Sequence, residues 1–200
     1  MTRITKTVEE RRQEIIDSAK KLFSENGFDK TQMADISKEM EVAQGLVYHY
    51  FKSKIEILYA VIDEIAGENE EIIRQVMSDY HGSAVDCVNM IFMNLMNKEN
   101  LDKYGTLFSS LKEDQGVMEY VSKKISMSTE PFVLSVIELG NVDGSWNCEY
   151  PQETARFILQ GLNGFIGFYP LSQDVDQKKQ VLSSIALRAL GVNIKKNNNH

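Results

Sequence analysis

The chain has 200 residues, 42% of them apolar and 26% charged, which is enough apolar side chain for a buried core and excludes wholesale disorder. Only three prolines interrupt it, which favours helices, and two cysteines, Cys87 and Cys148, exclude a disulfide framework and point to a reducing cytoplasm. The net charge of −7 is unevenly spread: residues 1–55 hold ten basic and nine acidic side chains, a balance of +1, which leaves −8 on the rest. An acidic body repels phosphate, so any nucleic-acid contact belongs in the first quarter of the chain, where Arg3, Lys6, Arg11 and Arg12 lie.

In chain order, Thr7 and Glu10 have capping-box spacing, and Val8, Ile15, Ala19, Leu22 and Phe23 share a face. Together they predict a helix over 7–26 that Asn26-Gly27 stops. A short second helix is expected from Thr31, read as its N-cap, with Met33, Ile36, Ser37 and Met40 on one side. The break Glu41-Val42-Ala43 leads into a third short helix from about Gln44 to Phe51. Ser53 and Glu56 form another capping box and open a long helix through Ile57, Leu58, Val61, Ile62 and Ile65. Further helices are expected at about 84–97, 101–113, 117–140, 152–169 and 174–191, with Pro131 kinking or dividing the 117–140 stretch. No strand-period alternation is long enough for a sheet, so the expected fold is all-helical, with about nine helices. The N-terminus lacks an apolar signal core. The longest apolar stretch, Phe157 to Leu171, is too short to span a bilayer and is broken by Gln160 and Asn163, so no membrane partner is expected.

Three short helices with a tight break between the second and third match a helix-turn-helix unit. The segment from Val42 to Leu58, VAQGLVYHYFKSKIEIL, strongly resembles the signature of the TetR family of transcriptional regulators. Ile15 to Phe23 and Gly27-Phe28 resemble that family's first helix and turn. The resemblance implies a DNA-binding domain over residues 8–65 and a larger helical ligand-binding and dimerisation domain over 66–200. It also implies a homodimer on a palindromic operator, most simply a repressor that a small molecule releases.

The residue types agree with that reading. Gly45, near the start of the third helix, lets backbone approach a phosphate, and Tyr48 and His49 can donate to phosphate oxygens. Gln44 suits paired hydrogen bonds to adenine and Leu46 contact with a thymine methyl. Lys54 sits in the first turn of a helix, where a cation opposes the macrodipole unless an anion is shared; a DNA phosphate would serve, and an ordinary solvated lysine is the plain alternative. Thr31 offers a hydroxyl to a second phosphate. Two positions depart from the family pattern: Glu41 stands where glycine is frequent, and Ala43 where a capping serine or threonine is. A positive φ at Glu41 and a missing cap at Ala43 would each cost about 1 kcal/mol.

In the C-terminal part, Ala155, Ile158, Leu159, Leu162, Phe165, Ile166 and Tyr169 make an apolar stripe with Gly161, Gly164 and Gly167 interspersed. Val181, Leu182, Ile185 and Ala189 give the last helix a matching face. These are the expected dimer helices, with Ile158, Leu162, Phe165, Ile166, Leu182 and Ile185 at the interface. Met90, Met93, Phe108 and Trp146 are the candidates for a largely apolar ligand pocket. A methionine-rich stripe suits plain core equally well, and Trp146 fits either a pocket mouth or simple packing. A C-terminal domain that docks a protein, or only dimerises, stays open as the alternative. His81 and Cys87 are the nearest approach to a metal or nucleophile cluster and lack further ligands at matching spacing, so neither an enzyme nor a bound cofactor is expected.

Overall fold

The computed structural model describes residues 6–78, 80–95, 98–168 and 175–192. Within α8 and around the start of α6 several side chains, including those of Phe165 and Ile166, lie outside the description. Among the described residues the chain is all-helical: α1 Val8–Asn26, α2 Met33–Glu39, α3 Gln44–Tyr50, α4 Lys54–Ser78, α5 Ala84–Leu95, α6 Lys98–Leu111, α7 Gln115–Asp143, α8 Pro151–Phe168 and α9 Val175–Ala189. A helix-turn-helix lies at the N-terminal end and a larger helical part follows.

Two compact units can be distinguished. The first takes residues up to 65 together with 102–121, and the second takes 66–101 together with 122 onward. α1 begins where the sequence places it. Thr7 Oγ1 accepts from the Glu10 N–H at 3.1 Å, and the Thr7 N–H donates to Glu10 Oε2 at 2.7 Å. Its end is Gly27 at φ 85°, a conformation glycine adopts freely. Ile15, Ala19, Phe23, Ile36, Val47 and Phe51 from the first three helices are buried, and Ile57, Leu58 and Val61 of α4 join them.

Polar side chains tie this unit together as well. The Lys20 ammonium lies 2.7 Å from Glu64 Oε2, and Gln13 Nε2 donates to Glu64 Oε1, which fastens α1 to α4. The Ser110 hydroxyl of α6 accepts the Phe28 N–H at 2.9 Å and donates to the Leu107 carbonyl at 2.7 Å. Tyr120 of α7 stacks on Tyr59, ring centroids 4.2 Å apart, and its hydroxyl donates to Asp63 Oδ1 at 2.9 Å.

The second unit is built on apolar packing. Cys87, Val88, Val136, Ile137, Trp146, Ala155, Ile158, Ala186, Leu187 and Leu190 form one buried cluster. Trp146 donates from Nε1 to the Ile137 carbonyl at 2.8 Å, and a Cβ added at Gly140 would collide with its indole. Asn141 closes the loop that carries the indole, donating to the Cys148 carbonyl at 3.0 Å and accepting the Cys148 N–H at 2.7 Å. α7 runs through Pro131 without dividing, contrary to one of the sequence expectations. The carbonyl that Pro131 leaves without a helical donor belongs to Met127, and both residues are exposed, so the break in the hydrogen-bond ladder faces solvent.

Candidate nucleic-acid interface

α2 and α3 meet through a turn whose geometry the sequence anticipates. Glu41 has φ 56°, the only positive φ at a non-glycine among the described residues, so glutamate stands in the left-handed conformation that glycine would adopt without strain. The turn is closed by backbone bonds from the Glu41 N–H to the Lys38 carbonyl at 3.1 Å and from the Val42 N–H to the Ser37 carbonyl at 3.0 Å. Ala43 is the N-cap of α3 and supplies no side-chain acceptor, so the start of that helix lacks the usual oxygen cap.

α3 is seven residues long and contains no acidic side chain. Val47, fully buried, anchors it from within, and Phe51 is its buried C-cap. Gln44, Gly45, Tyr48 and His49 are exposed and Leu46 is half-buried. A Cβ at Gly45 would meet nothing within 4 Å, so the fold itself does not require glycine there. Lys52 places its ammonium 3.3 Å from the Tyr48 carbonyl and 3.4 Å from that of His49, a cation at the negative end of the helix.

Two candidate phosphate ligands are occupied inside the fold. Thr31 is buried, its hydroxyl donates to the Gly27 carbonyl at 2.9 Å, and the N-cap of α2 is Gln32 instead. The hydroxyl therefore cannot also face a phosphate, which corrects the sequence expectation. Lys54 donates to the carbonyls of Phe28 at 2.7 Å and Thr31 at 2.8 Å, and lies 4.1 Å from the centre of the Phe28 ring. Burial pulls its pKa below the ordinary lysine range, against a smaller opposing pull from Asp29. The ammonium that the sequence assigns to a shared phosphate is instead a clamp between the start of α4 and the α1–α2 turn. Its partners lie 23 and 26 residues away, and no local signal gives their position.

The apolar-pocket candidates have different settings. Met90 is 39% and Met93 61% exposed, Trp146 is 7% exposed within the core of the second unit, and half-buried Phe108 belongs to the first unit. Trp146 is thus a packed core residue with its N–H satisfied, not the rim of a pocket. Of the dimer candidates, Ile158 and Leu182 are also core: they are 8% and 1% exposed, because α8 and α9 turn those positions inward. Leu162 is half-buried against the same cluster, Ile185 is 50% exposed, and the side chains of Phe165 and Ile166 lie outside the described residues. The sequence stripe overlooks Phe157, which is 75% exposed. A signal for it exists, since Phe157, Gly161 and Gly164 fall at i, i+4 and i+7 on the side opposite the buried stripe. His81 is exposed while Cys87 is buried, and burial pushes the Cys87 thiol up, the reverse of an activated nucleophile. Among the described residues no group of three His, Cys, Asp or Glu side chains is placed to hold a metal. No described helix is long and apolar enough to cross a membrane.

Residues 15–61, which run from within α1 to the first turns of α4, match the family model of bacterial regulatory proteins, tetR family. This segment is thus similar to the DNA-binding segment of the tetR family. The HTH-type transcriptional regulator HbdR of Aromatoleum sp. (strain CIB) is 44% identical over 72 residues, 36% of this chain and 31% of that protein. The HTH-type transcriptional regulator TtgR of Pseudomonas putida is 28% identical over 103 residues, 51% of this chain and 49% of that protein. The chain thus spans less than half the length of these curated relatives. The crystal structure of RolR in complex with resorcinol is similar in fold over 92% of this chain and 89% of its own, with a TM-score of 0.73 and 20% identity. The tetR-type helix-turn-helix therefore comprises α1–α3 and the start of α4, with Glu41 and Ala43 at its turn.

Proposed function

We propose that this chain is a homodimeric, sequence-specific DNA-binding transcriptional regulator of the cytoplasm, a repressor that leaves a palindromic operator when a small molecule binds its C-terminal domain. The observation that carries the DNA reading is the outer side of α3, where Gln44, Gly45, Tyr48 and His49 are exposed on an acid-free helix anchored by buried Val47. In this reading α3 enters the major groove, Gln44 bonds adenine, Leu46 meets a thymine methyl, and Tyr48, His49 and the Gly45 backbone contact phosphates. Relatives named as HTH-type transcriptional regulators support it.

The dimer rests on the outer side of α8 and α9. Phe157, Val181 and Ile185 are exposed apolar side chains there, and Gly161 and Gly164 leave α8 bare for close helix approach. The ligand is argued by analogy from RolR, which was crystallised with resorcinol as its ligand. A second reading, in which the C-terminal domain only dimerises or docks a protein, is favoured by the exposure of Met90 and Met93 and the packing of Trp146 into the core.

Fluorescence anisotropy on selected and random duplexes tests the base-reading role. Gln44→Ala is expected to narrow the gap between the two duplexes by about 1–3 kcal/mol, and Tyr48→Phe to weaken both alike. Equal losses on both duplexes from Gln44→Ala would remove it as a base reader. A thermal-shift screen with small phenols and other apolar compounds separates the two readings of the C-terminal domain, because a true ligand raises the melting temperature by mass action.

A further inference from the structure

The cations of α1 and its approach differ in how they are used. Lys6 and Arg11 both pair with Glu14, Lys20 pairs with Glu64, and Lys21 pairs with Glu39. Arg12 is exposed and has no carboxylate partner among the described residues. Its guanidinium lies instead over the ring of Phe51, 4.7 Å from the centroid. Phe51 is fully buried and is the C-cap of α3, its N–H bonded to the Val47 carbonyl, so the ring is fixed and belongs to the end of the helix that presents Gln44 and Tyr48. Cation–π attraction to a ring does not consume the N–H donors of a guanidinium, which form a fork that matches two phosphate oxygens.

We propose that Arg12 is a phosphate-contacting residue of the DNA interface, a cation reserved on α1 and held against Phe51 at the edge of α3 to grip the backbone beside the groove. The proposal rests on the DNA-binding reading above. It follows from three features that coincide in this one side chain: exposure, lack of a neutralising carboxylate, and orientation by a buried ring on the recognition helix. The partner is the phosphodiester backbone of double-stranded DNA, so the contact adds affinity on every sequence and carries no base preference.

The test compares Arg12→Gln with Arg11→Gln in the full chain. Each variant removes one positive charge from adjacent positions, so general electrostatic steering changes equally. The probes are a duplex of about 30 base pairs selected from a random pool and an unselected duplex of the same length, titrated between about 50 and 200 mM KCl. Arg12→Gln is expected to lower the slope of log affinity against log salt by about 1.8 on both duplexes, about 0.9 for the phosphate contact of each subunit in the dimer. It is also expected to weaken both by a similar factor, roughly 3- to 10-fold at low salt. Arg11→Gln should leave the slope unchanged. Arg12→Lys should keep the slope and lose part of the affinity, because a point charge replaces the guanidinium fork. Matching circular dichroism and melting temperature exclude unfolding as the cause.

An unchanged slope in Arg12→Gln, or an equal change in Arg11→Gln, overturns the phosphate contact and leaves the DNA-binding reading standing. A loss confined to the selected duplex overturns it too, since that is the mark of base reading. Failure of the wild-type chain to bind either duplex at the lowest salt, about 50 mM, overturns the DNA-binding reading and this proposal with it.

Discussion

Both units have a buried apolar core and polar ties between helices, and they differ in what each adds. In the first, helices are fastened to one another by directional polar ties: Lys54 to the carbonyls of Phe28 and Thr31, Ser110 to the Phe28 amide, Tyr120 to Asp63, and Glu64 to Gln13 and Lys20. In the second, a continuous apolar cluster around Ile137, Trp146 and Leu187 carries the packing, and apolar side chains remain on the outer side of α8 and α9. Directional bonds fix the pose of a short helix to fractions of an ångström, as reading base edges demands. Apolar packing tolerates repacking and leaves surface free for association. In the proposed reading, the first unit supplies precision and the second a surface for assembly.

The largest effect expected from this contrast concerns assembly. Phe157→Glu combined with Ile185→Glu should convert the proposed dimer to a monomer in sedimentation velocity. Operator affinity should fall by about 100-fold or more, because the second half-site is no longer engaged intramolecularly. A dimer that survives both changes would place the interface elsewhere.

Next in size is the clamp. Lys54→Met keeps the aliphatic stem but strips two carbonyls of their donor, and urea unfolding should register a loss of about 2–3 kcal/mol. A change below about 0.5 kcal/mol, the level of an ordinary surface substitution, would mean that the polar ties of the first unit are incidental.

The apolar unit has its own counterpart in Gly140. Gly140→Ala forces the indole of Trp146 out of its seat, at an expected cost of about 1–3 kcal/mol. Trp146 is the single tryptophan, so its emission should shift to the red. Unaltered emission and stability would show that the loop yields without strain.

The smallest effects are gains. Glu41→Gly relieves the left-handed backbone and Ala43→Ser supplies the missing cap, each worth about 0.5–1 kcal/mol of added stability by thermal unfolding. Loss of stability from Glu41→Gly would show that this side chain supports the turn in some other way.

These cases also separate what the sequence discloses from what it conceals. The Thr7–Glu10 capping box and the stop at Gly27 are legible because each depends on residues within a few positions, whereas Glu41 and Ala43 stand out only against the family pattern that the sequence resembles. Lys54 and Thr31 read as phosphate ligands for the same reason: their local setting suits an anion. Their real partners are fixed only once α1, α2 and α4 pack together. α8 misleads differently, being apolar on two sides. The denser stripe, through Ile158 and Leu159, faces the chain's own core, and the sparser one, Phe157 with Gly161 and Gly164, is left outside. Pro131 shows the limit of a breaker rule, since an exposed carbonyl can go without a helical donor and the helix continues.

The central claim is that α3 reads DNA sequence on behalf of a dimer. Selection of bound duplexes from a random pool, run in parallel for the wild-type chain and Gln44→Ala, tests it most directly. The account predicts an enriched palindrome for the wild type, with half-sites about 34 Å or a multiple apart, that loses definition at one position per half-site in Gln44→Ala. A pool that stays random at low salt, where phosphate contacts are strongest, would contradict it.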